Sequence, residues 1–289
     1  MENSVIAGRW HYYVRLMRLD KPIGILLLLW PTLWALWIAA DGHPSPWLVA
    51  VFIAGVVLMR SAGCVINDFA DRKIDVHVKR TAKRPLTAGL VSKKEALLLF
   101  AVLVCMAFLL VLTLNPLTIG LSLVGAFLAI SYPFTKRFTH LPQAYLGAAF
   151  GWAVPMAFAA QTGDIDNRSW WLFLAVLIWA LIYDTMYAMV DRDDDLKIGV
   201  KSTAILFGRY DLLVIGLLQL SFLGILTYTG VIFGMGIYYY AGLIIAALLM
   251  IYHQSLIHRR QRELCFKAFL HNHWVGAVIF LGIVANYYL

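Results

Sequence analysis

Long apolar segments are the feature that most restricts what this chain can fold into. Nine stretches have the length and composition of membrane helices, three of them near the short limit. They lie near residues 22–40, 47–66, 95–114, 117–133, 143–160, 170–190, 212–233, 236–252 and 270–287. Only 14% of the 289 residues are charged, against about 25% in a typical soluble domain. The sequence therefore predicts an all-α, polytopic membrane protein, a single domain over residues 1–289 with nine transmembrane helices.

The distribution of Lys and Arg predicts the orientation of these helices. With the N-terminus in the cytoplasm, the inner segments contain 22 of the 24 basic residues. The other two are Arg168, in a predicted outer loop, and Arg60, within the second helix. We expect a cytoplasmic N-terminus and a C-terminus on the opposite side. The net charge of +8 then reflects this topology and contact with membrane lipid, and nucleic acid is not an expected partner.

Two acidic motifs with one pattern follow two of the apolar segments. DRKID (71–75) and DRDDD (191–195) both read Asp-Arg-x-x-Asp and lie 120 residues apart. Each is at the cytoplasmic end of an even-numbered predicted helix, and each precedes a basic loop. The pattern predicts two pseudo-repeated halves, each contributing one acidic motif to a common site.

Helical spacing predicts that the acidic residues share faces. Residues four apart lie on one face of an α-helix, which aligns Asn67, Asp71 and Asp75. Asp191 and Asp195 repeat this spacing in the second motif. Carboxylates at a membrane boundary repel one another, so positive charge must offset their repulsion. Their oxygens are hard ligands and no thiolate or His cluster accompanies them, which favours Mg²⁺. Two such faces opposed across a cavity would suit a diphosphate. The predicted metal ligands are Asn67, Asp71, Asp75, Asp191 and Asp195.

Basic side chains near these motifs are candidates for binding an anionic substrate. Lys136 and Arg137 stand out, because Tyr132 lies one helical turn before Lys136 at a helix end. No GxxxxGK[ST] loop is present, so a nucleoside triphosphate is not the obvious phosphate carrier. The remaining candidates, which could also be positive-inside residues, are Arg72, Arg80 and Arg84.

Four stretches, taken together and in order, resemble the intramembrane aromatic prenyltransferases, most closely the bacterial 4-hydroxybenzoate polyprenyltransferases of ubiquinone biosynthesis. They are RLDKPIGILLLLWPTLWAL (18–36), GCVINDFADRKIDVHVKRTAKRPL (63–86), YPFTKRFTHLPQ (132–143) and YDTMYAMVDRDDDLKIGVKSTAILFG (183–208). The family motifs NDxxDxxxD, DxxxD and YxxxK are matched, respectively, by Asn67, Asp68, Asp71 and Asp75, by Asp191 and Asp195, and by Tyr132 and Lys136.

This resemblance implies a central cavity that opens laterally to lipid, in a bacterial inner membrane with the C-terminus in the periplasm. It implies Mg²⁺-dependent transfer of a polyprenyl group from polyprenyl diphosphate to 4-hydroxybenzoate, at the ring carbon ortho to the hydroxyl. Arg60 is expected to bind the acceptor carboxylate, and Asp184 to orient the phenol hydroxyl or accept a proton. The expected catalytic carboxylates are Asp71, Asp75, Asp184, Asp191 and Asp195.

Two alternatives to this function remain open. One is a prenyltransferase with another acceptor, such as a naphthoate, homogentisate or a haem vinyl group. The other is a cation-coupled transporter, because buried Asp and Arg residues can line an ion path. The carboxylates cluster at one membrane interface instead of the midplane, and the repeat lacks inverted topology. Both features disfavour the transporter.

Overall fold

The regular structure of this chain is helical. The computed structural model describes residues 2–77 and 81–289, with the side chains of residues 2–8 and 77 left aside; candidate Arg80 lies outside the described residues. The helices are α1 (Glu2–Leu16), α2 (Ile23–Ala39), α3 (Pro46–Asp71), α4 (Lys93–Val111), α5 (Pro116–Thr135), α6 (Pro142–Gly151), α7 (Ala153–Thr162), α8 (Ser169–Ile198), α9 (Thr203–Phe207), α10 (Asp211–Ile232), α11 (Ile237–Ile257) and α12 (Arg262–Tyr288).

Several of these helices can cross a membrane. In the described ranges, seven segments have sufficient length and hydropathy: α3, α4, α5, α8, the continuous stretch Thr203–Ile232, α11 and α12. Helix α2 is apolar but shorter, with 17 residues. The all-α membrane architecture is thereby confirmed, whereas the count of nine spans and the relation between two halves remain predictions.

The fifth apolar segment is divided into two helices of 10 residues, α6 and α7, which meet at Trp152. Pro155 explains the division, because proline has no N–H to donate to the carbonyl of Gly151, four residues earlier. Helix α7 then ends at Gly163, whose φ of 78° is a left-handed conformation that glycine adopts without steric cost.

The core joins helices that are distant in sequence. Trp179 of α8 is fully buried and stacks on Trp34 of α2, with ring centroids 5.3 Å apart. It also stacks on Phe222 of α10, with ring centroids 6.1 Å apart. Close approach of α6 and α8 depends on Gly147, where an added Cβ would lie 2.5 Å from the carbonyl oxygen of Leu177. These contacts hold α8, and with it the second acidic motif, at the centre of the bundle.

The two acidic motifs differ in local structure. Helix α8 continues to Ile198, so Asp191 and Asp195 share a helical face as predicted. Helix α3 instead ends at Asp71, and Asp75 begins a separate 3₁₀ turn. The prediction that one helical face extends through Asp75 is therefore wrong. The physical reason is a tight turn, in which the Ile74 N–H donates to the Asp71 carbonyl at 2.7 Å, together with tertiary hydrogen bonds that hold Asp75.

Candidate active site

Two cavities meet inside the helix bundle. The larger has a volume of about 860 Å³ and is lined largely by apolar side chains, among them Leu27, Phe52, Trp152 and Met156. The smaller has a volume of about 140 Å³ and is polar. Their boundary is formed by the residues common to both, which are Asn67, Arg84, Tyr132, Asp184, Tyr187 and Asp191. The arrangement offers an apolar chamber that ends in a polar one.

The small cavity brings the two acidic motifs together. Asp71 and Asp75 line it from the end of α3 and the turn that follows, and Asp191 and Asp195 line it from α8. Asp71 and Asp75 are almost completely buried, with exposed fractions of 1% and 5%. Carboxylates so close in a confined space require positive charge to offset their repulsion and desolvation.

Part of that positive charge comes from Lys136, whose ammonium contacts Oδ2 of Asp71. Lys136 follows directly after α5, so this contact ties the end of α5 to the end of α3. The other carboxylate oxygen of Asp71, Oδ1, is buried and has no hydrogen-bond partner in the described part of the chain. A buried carboxylate oxygen in this condition is a ready ligand for a cation.

Arg84 connects two acidic residues of the first motif. Its Nη1 donates to Oδ2 of Asp75 at 2.8 Å and to Oδ1 of Asp68 at 2.9 Å. Asp68 is 1% exposed and also accepts a hydrogen bond from Nη2 of Arg18 at 2.9 Å. Asp68 thus holds two arginines, both of which line the larger cavity, at the entrance to the acidic site.

Arg60 lies deeper along α3 and lines the larger cavity. Its Nη1 donates to Sγ of Cys64 at 2.8 Å, and its Nε donates to the carbonyl of Gly24 at 3.3 Å. Its Cζ lies 6.0 Å from the ring centroid of Phe150. Among residues 2–77 and 81–289 no carboxylate forms an ion pair with Arg60.

Arg192, which lines neither cavity, helps to hold the second motif in place. Arg192, between Asp191 and Asp195, donates to the carboxylate of Asp211 at 2.7 Å and to the carbonyl of Ala204 at 3.0 Å. Asp211 is fully buried and also pairs with Arg260 at 2.7 Å. These contacts connect the end of α8 to α9, to the start of α10 and to the segment before α12. They position the helix face that carries the two aspartates.

Two of the predicted substrate ligands do not line either cavity. The guanidinium of Arg72 lies 4.5 Å from the ring centroid of Phe69, three residues earlier in α3. Arg137 donates from Nη2 to the carbonyl of Ala70 at 2.9 Å, beside Asp71. In this conformation Arg137 therefore connects α5 to α3. Binding of a diphosphate by Arg72 or Arg137 remains a prediction.

The small cavity is also lined by polar residues outside the predicted site, among them Gln143 and Lys201, one of the basic residues that follow the second motif. Gln143 accepts a hydrogen bond from the backbone N–H of Thr203 at 3.1 Å, which connects the start of α6 to the start of α9. Lys201 donates to the carbonyl of Phe138 at 3.2 Å. Both residues lie in the stretches quoted above, but only the fold shows that the two loops close over the same site.

The carboxylates that line the small cavity are possible ligands for a metal ion. In the described part of the chain, no three His, Cys, Asp or Glu side chains converge to form a metal site of protein ligands alone. Mg²⁺ does not need such a site, because it keeps several waters and often binds one or two carboxylates plus phosphate oxygens. Asp71, with its partnerless Oδ1, and the facing carboxylates of α8 fit an ion of that kind.

In this all-helical membrane bundle, two acidic motifs meet at the polar end of an apolar cavity. The arrangement defines a class of membrane protein suited to an amphipathic substrate with an anionic head. Residues 28–276 match the UbiA prenyltransferase family, and the chain belongs to that family. The resemblance inferred from the four stretches is thereby confirmed.

Relatives cover nearly the full chain. The 4-hydroxybenzoate octaprenyltransferase of Methylococcus capsulatus is 63% identical over 282 residues, covering 98% of this chain and 97% of the relative. The protein of that name from Salmonella paratyphi B is 59% identical over 288 residues, covering 100% and 99%. Among solved structures, the apo UbiA homologue from Aeropyrum pernix superposes with a TM-score of 0.81 at 28% identity, covering 91% and 97%. The Archaeoglobus fulgidus homologue, solved with GPP and Mg²⁺, shares the fold (TM-score 0.72, 16% identity, covering 95% and 99%).

Proposed function

We propose that this protein transfers a polyprenyl group from polyprenyl diphosphate to 4-hydroxybenzoate and releases diphosphate. The observation that carries the proposal is the junction of the two cavities, where an apolar chamber of about 860 Å³ opens on a small chamber lined by both acidic motifs. The substrate assignment is supported by relatives of 59–63% identity over almost the full chain, which are named 4-hydroxybenzoate octaprenyltransferases.

The small cavity is the proposed site of the diphosphate. The residues that would hold Mg²⁺ there are Asn67, Asp71, Asp75, Asp191 and Asp195. Bound Mg²⁺ would neutralise the diphosphate and stabilise it as a leaving group. Lys136 and Arg84, both lining this cavity, add positive charge where negative charge grows as the allylic C–O bond breaks.

The apolar cavity is the proposed site of the polyprenyl chain. Its wall excludes water from the allylic carbon, which protects the electron-poor centre until the aromatic ring attacks. A polyprenyl chain is as apolar as lipid tails, so we propose that it enters laterally from the membrane. The polyprenyl chain extends from the polar chamber towards the lipid, while the diphosphate stays among the acidic residues.

Arg60 and Asp184 are the proposed acceptor ligands. A guanidinium can bind a planar carboxylate through two parallel hydrogen bonds, and Arg60 lines the cavity next to the polar chamber. The ring carbon ortho to the hydroxyl attacks the allylic carbon, and the C–O electron pair leaves with the diphosphate. The ring carbon then loses its proton. Asp184, at the boundary of the two cavities, is the proposed group to orient the hydroxyl or accept this proton.

We further propose that the protein acts in the bacterial inner membrane, with its N-terminus in the cytoplasm and its C-terminus in the periplasm. The asymmetry of Lys and Arg supports this orientation, because positively charged loops are retained in the cytoplasm. The acidic site would then face the compartment that supplies a water-soluble acceptor.

The test is an assay of membranes containing this protein with a polyprenyl diphosphate, Mg²⁺ and a panel of aromatic acceptors. We expect prenylated 4-hydroxybenzoate and free diphosphate in equal amounts, with no product when Mg²⁺ is chelated. Product from a naphthoate or homogentisate but not from 4-hydroxybenzoate would overturn the acceptor assignment. Turnover in detergent, where no ion gradient exists, separates the enzyme from a transporter.

A further inference from the structure

We propose that Gly24 is a positioning residue of the acceptor site, because its missing side chain and its carbonyl oxygen set the place of the Arg60 guanidinium. This inference rests on the proposed binding of the acceptor carboxylate by Arg60. Gly24 belongs to α2 and Arg60 to α3, so a helix other than its own helps to set the position of the guanidinium.

The contact between the two residues is close. A Cβ added to Gly24 would lie 2.6 Å from Nη2 of Arg60, 2.8 Å from Nε and 3.1 Å from Cζ. Non-bonded carbon and nitrogen atoms do not approach so closely without strong repulsion. The space beside Gly24 is thus occupied by the guanidinium, and only glycine leaves this space open.

Hydrogen bonds fix the guanidinium in this position. Nε donates to the Gly24 carbonyl, and Nη1 donates to Sγ of Cys64 one turn along α3. On the third side, the ring of Phe150 from α6 lies 6.0 Å away. These bonds use Nε and one N–H of Nη1. In the described ranges the remaining N–H groups of Nη1 and Nη2 make no hydrogen bond, and they form the end of the fork that binds a carboxylate with two parallel bonds.

An added methyl group should disturb the site more than the fold. The atoms that a Cβ would meet are the far end of a flexible side chain, so the guanidinium can move while α2 and α3 stay in place. Such a movement would break the bond to the Gly24 carbonyl and turn the fork away from the acceptor. Gly24 is therefore expected to control how well a carboxylate-bearing acceptor is recognised.

The chain offers a matched control in Gly224 of α10. Gly224 is exposed, it lines neither cavity, and a Cβ added there would meet no described atom within 4 Å. Gly24→Ala and Gly224→Ala therefore make the same chemical change on membrane helices, and only the first change reaches Arg60.

The experiment measures steady-state kinetics for both substrates in four variants: Gly24→Ala, Gly224→Ala, Arg60→Leu and the double variant Gly24→Ala/Arg60→Leu. We expect Gly24→Ala to raise KM for 4-hydroxybenzoate by about tenfold or more, a loss comparable to that of one charged hydrogen bond. We expect KM for the polyprenyl diphosphate and the kinetics of Gly224→Ala to stay within twofold. In the Arg60→Leu background, Gly24→Ala should cause no further loss, because the atoms it would displace are gone.

The outcomes separate this inference from the proposed function. If Arg60→Leu raises KM for 4-hydroxybenzoate while Gly24→Ala does not, the role of Gly24 is wrong and the acceptor assignment stands. If Arg60→Leu leaves this KM unchanged, the proposed role of Arg60 is wrong and the inference falls with it. If Gly24→Ala does not accumulate in membranes, the double variant should accumulate to the same level as Arg60→Leu alone. A double variant that does not accumulate also overturns the inference.

Discussion

The ammonium of Lys136 contacts the carboxylate of Asp71, although 64 residues separate them in the chain. Lys136 directly follows α5 and Asp71 is the last residue of α3, so the contact joins two helix ends at the small polar cavity. It neutralises a buried carboxylate and leaves Oδ1 of Asp71 without a partner in the described residues. The carboxylate of Asp71 is thus already paired with the Lys136 ammonium through Oδ2, while its Oδ1 is available to bind a metal ion.

Replacement of one carboxylate in each acidic motif tests the metal site. Asp71→Asn and Asp191→Asn should each lower the rate of product formation by about 100-fold or more, because an amide is a weaker ligand for Mg²⁺ than a carboxylate. The rate is measured against Mg²⁺ concentration, and the half-saturating concentration should rise.

The matched control is Asp193→Asn. Asp193 belongs to the same acidic run, but its side chain is 71% exposed, lines neither cavity and pairs with Arg262 at 3.2 Å. Its rate and Mg²⁺ dependence should stay near wild type. Unchanged Mg²⁺ dependence in Asp71→Asn and Asp191→Asn would exclude the proposed ligands.

Replacement of the ammonium tests the stabilisation of the leaving group. Lys136→Met should lower kcat by about 100-fold, the effect of removing one preorganised donor from a developing anion. The same change leaves Asp71 buried without its cation, so a loss of thermal stability in detergent should accompany it. Lys197→Met is the control, because Lys197 lies on α8 but is exposed and lines neither cavity. A Lys136→Met enzyme with wild-type kcat would refute this role.

The buried carboxylate of Asp211 is expected to stabilise the fold without touching substrate. Asp211→Asn leaves Arg192 and Arg260 without their shared anion, which should destabilise the protein by on the order of 3 kcal/mol. The measurement is thermal unfolding in detergent. Asp166→Asn removes a partly exposed pair with Arg168 and should lower the midpoint much less. Equal shifts in the two variants would contradict the importance of burial.

The close contact between α6 and α8 makes a separate prediction. Gly147→Ala forces a methyl group against the Leu177 carbonyl, so it should destabilise the protein by about 1–3 kcal/mol. Gly120→Ala on α5 is the control, because a Cβ there meets no described atom within 4 Å. Thermal unfolding of both variants gives the comparison, and a Gly147→Ala midpoint equal to that of Gly120→Ala would show that the helices can separate at no cost.

Local patterns predicted the parts of the site that lie on regular helices. The spacing of Asp191 and Asp195 is that of one helical face, and α8 is helical through both residues. The same reasoning failed at Asp75, because the turn after Asp71 is stabilised by Thr81 and Arg84. A helical period applies only while the helix continues, and where it stops depends on partners from elsewhere in the chain.

The direction of individual side chains was decided by long-range contacts. Arg72 lies within the first motif and Arg84 follows it, and both were candidates for binding the anionic substrate. Arg84 lines both cavities and pairs with two aspartates, whereas Arg72 lies over Phe69. Asp68 shares a motif with Asp71, yet its neighbours in the fold are Arg18 and Arg84. Charge could not distinguish Arg72 from Arg84, or Asp68 from Asp71, because the members of each pair carry the same charge and differ only in contacts with other parts of the chain.

By itself the sequence determined that this chain is an all-helical membrane protein with two acidic motifs. The length of an apolar segment decides whether it can span the bilayer, and the spacing of residues decides which side chains share a helical face; both are local properties of the sequence. The tertiary structure alone decided that the motifs meet at the end of an apolar cavity, that Lys136 pairs with Asp71, and that Gly24 makes room for Arg60. These relationships join residues on different helices, and packing of the whole bundle sets the distances between them.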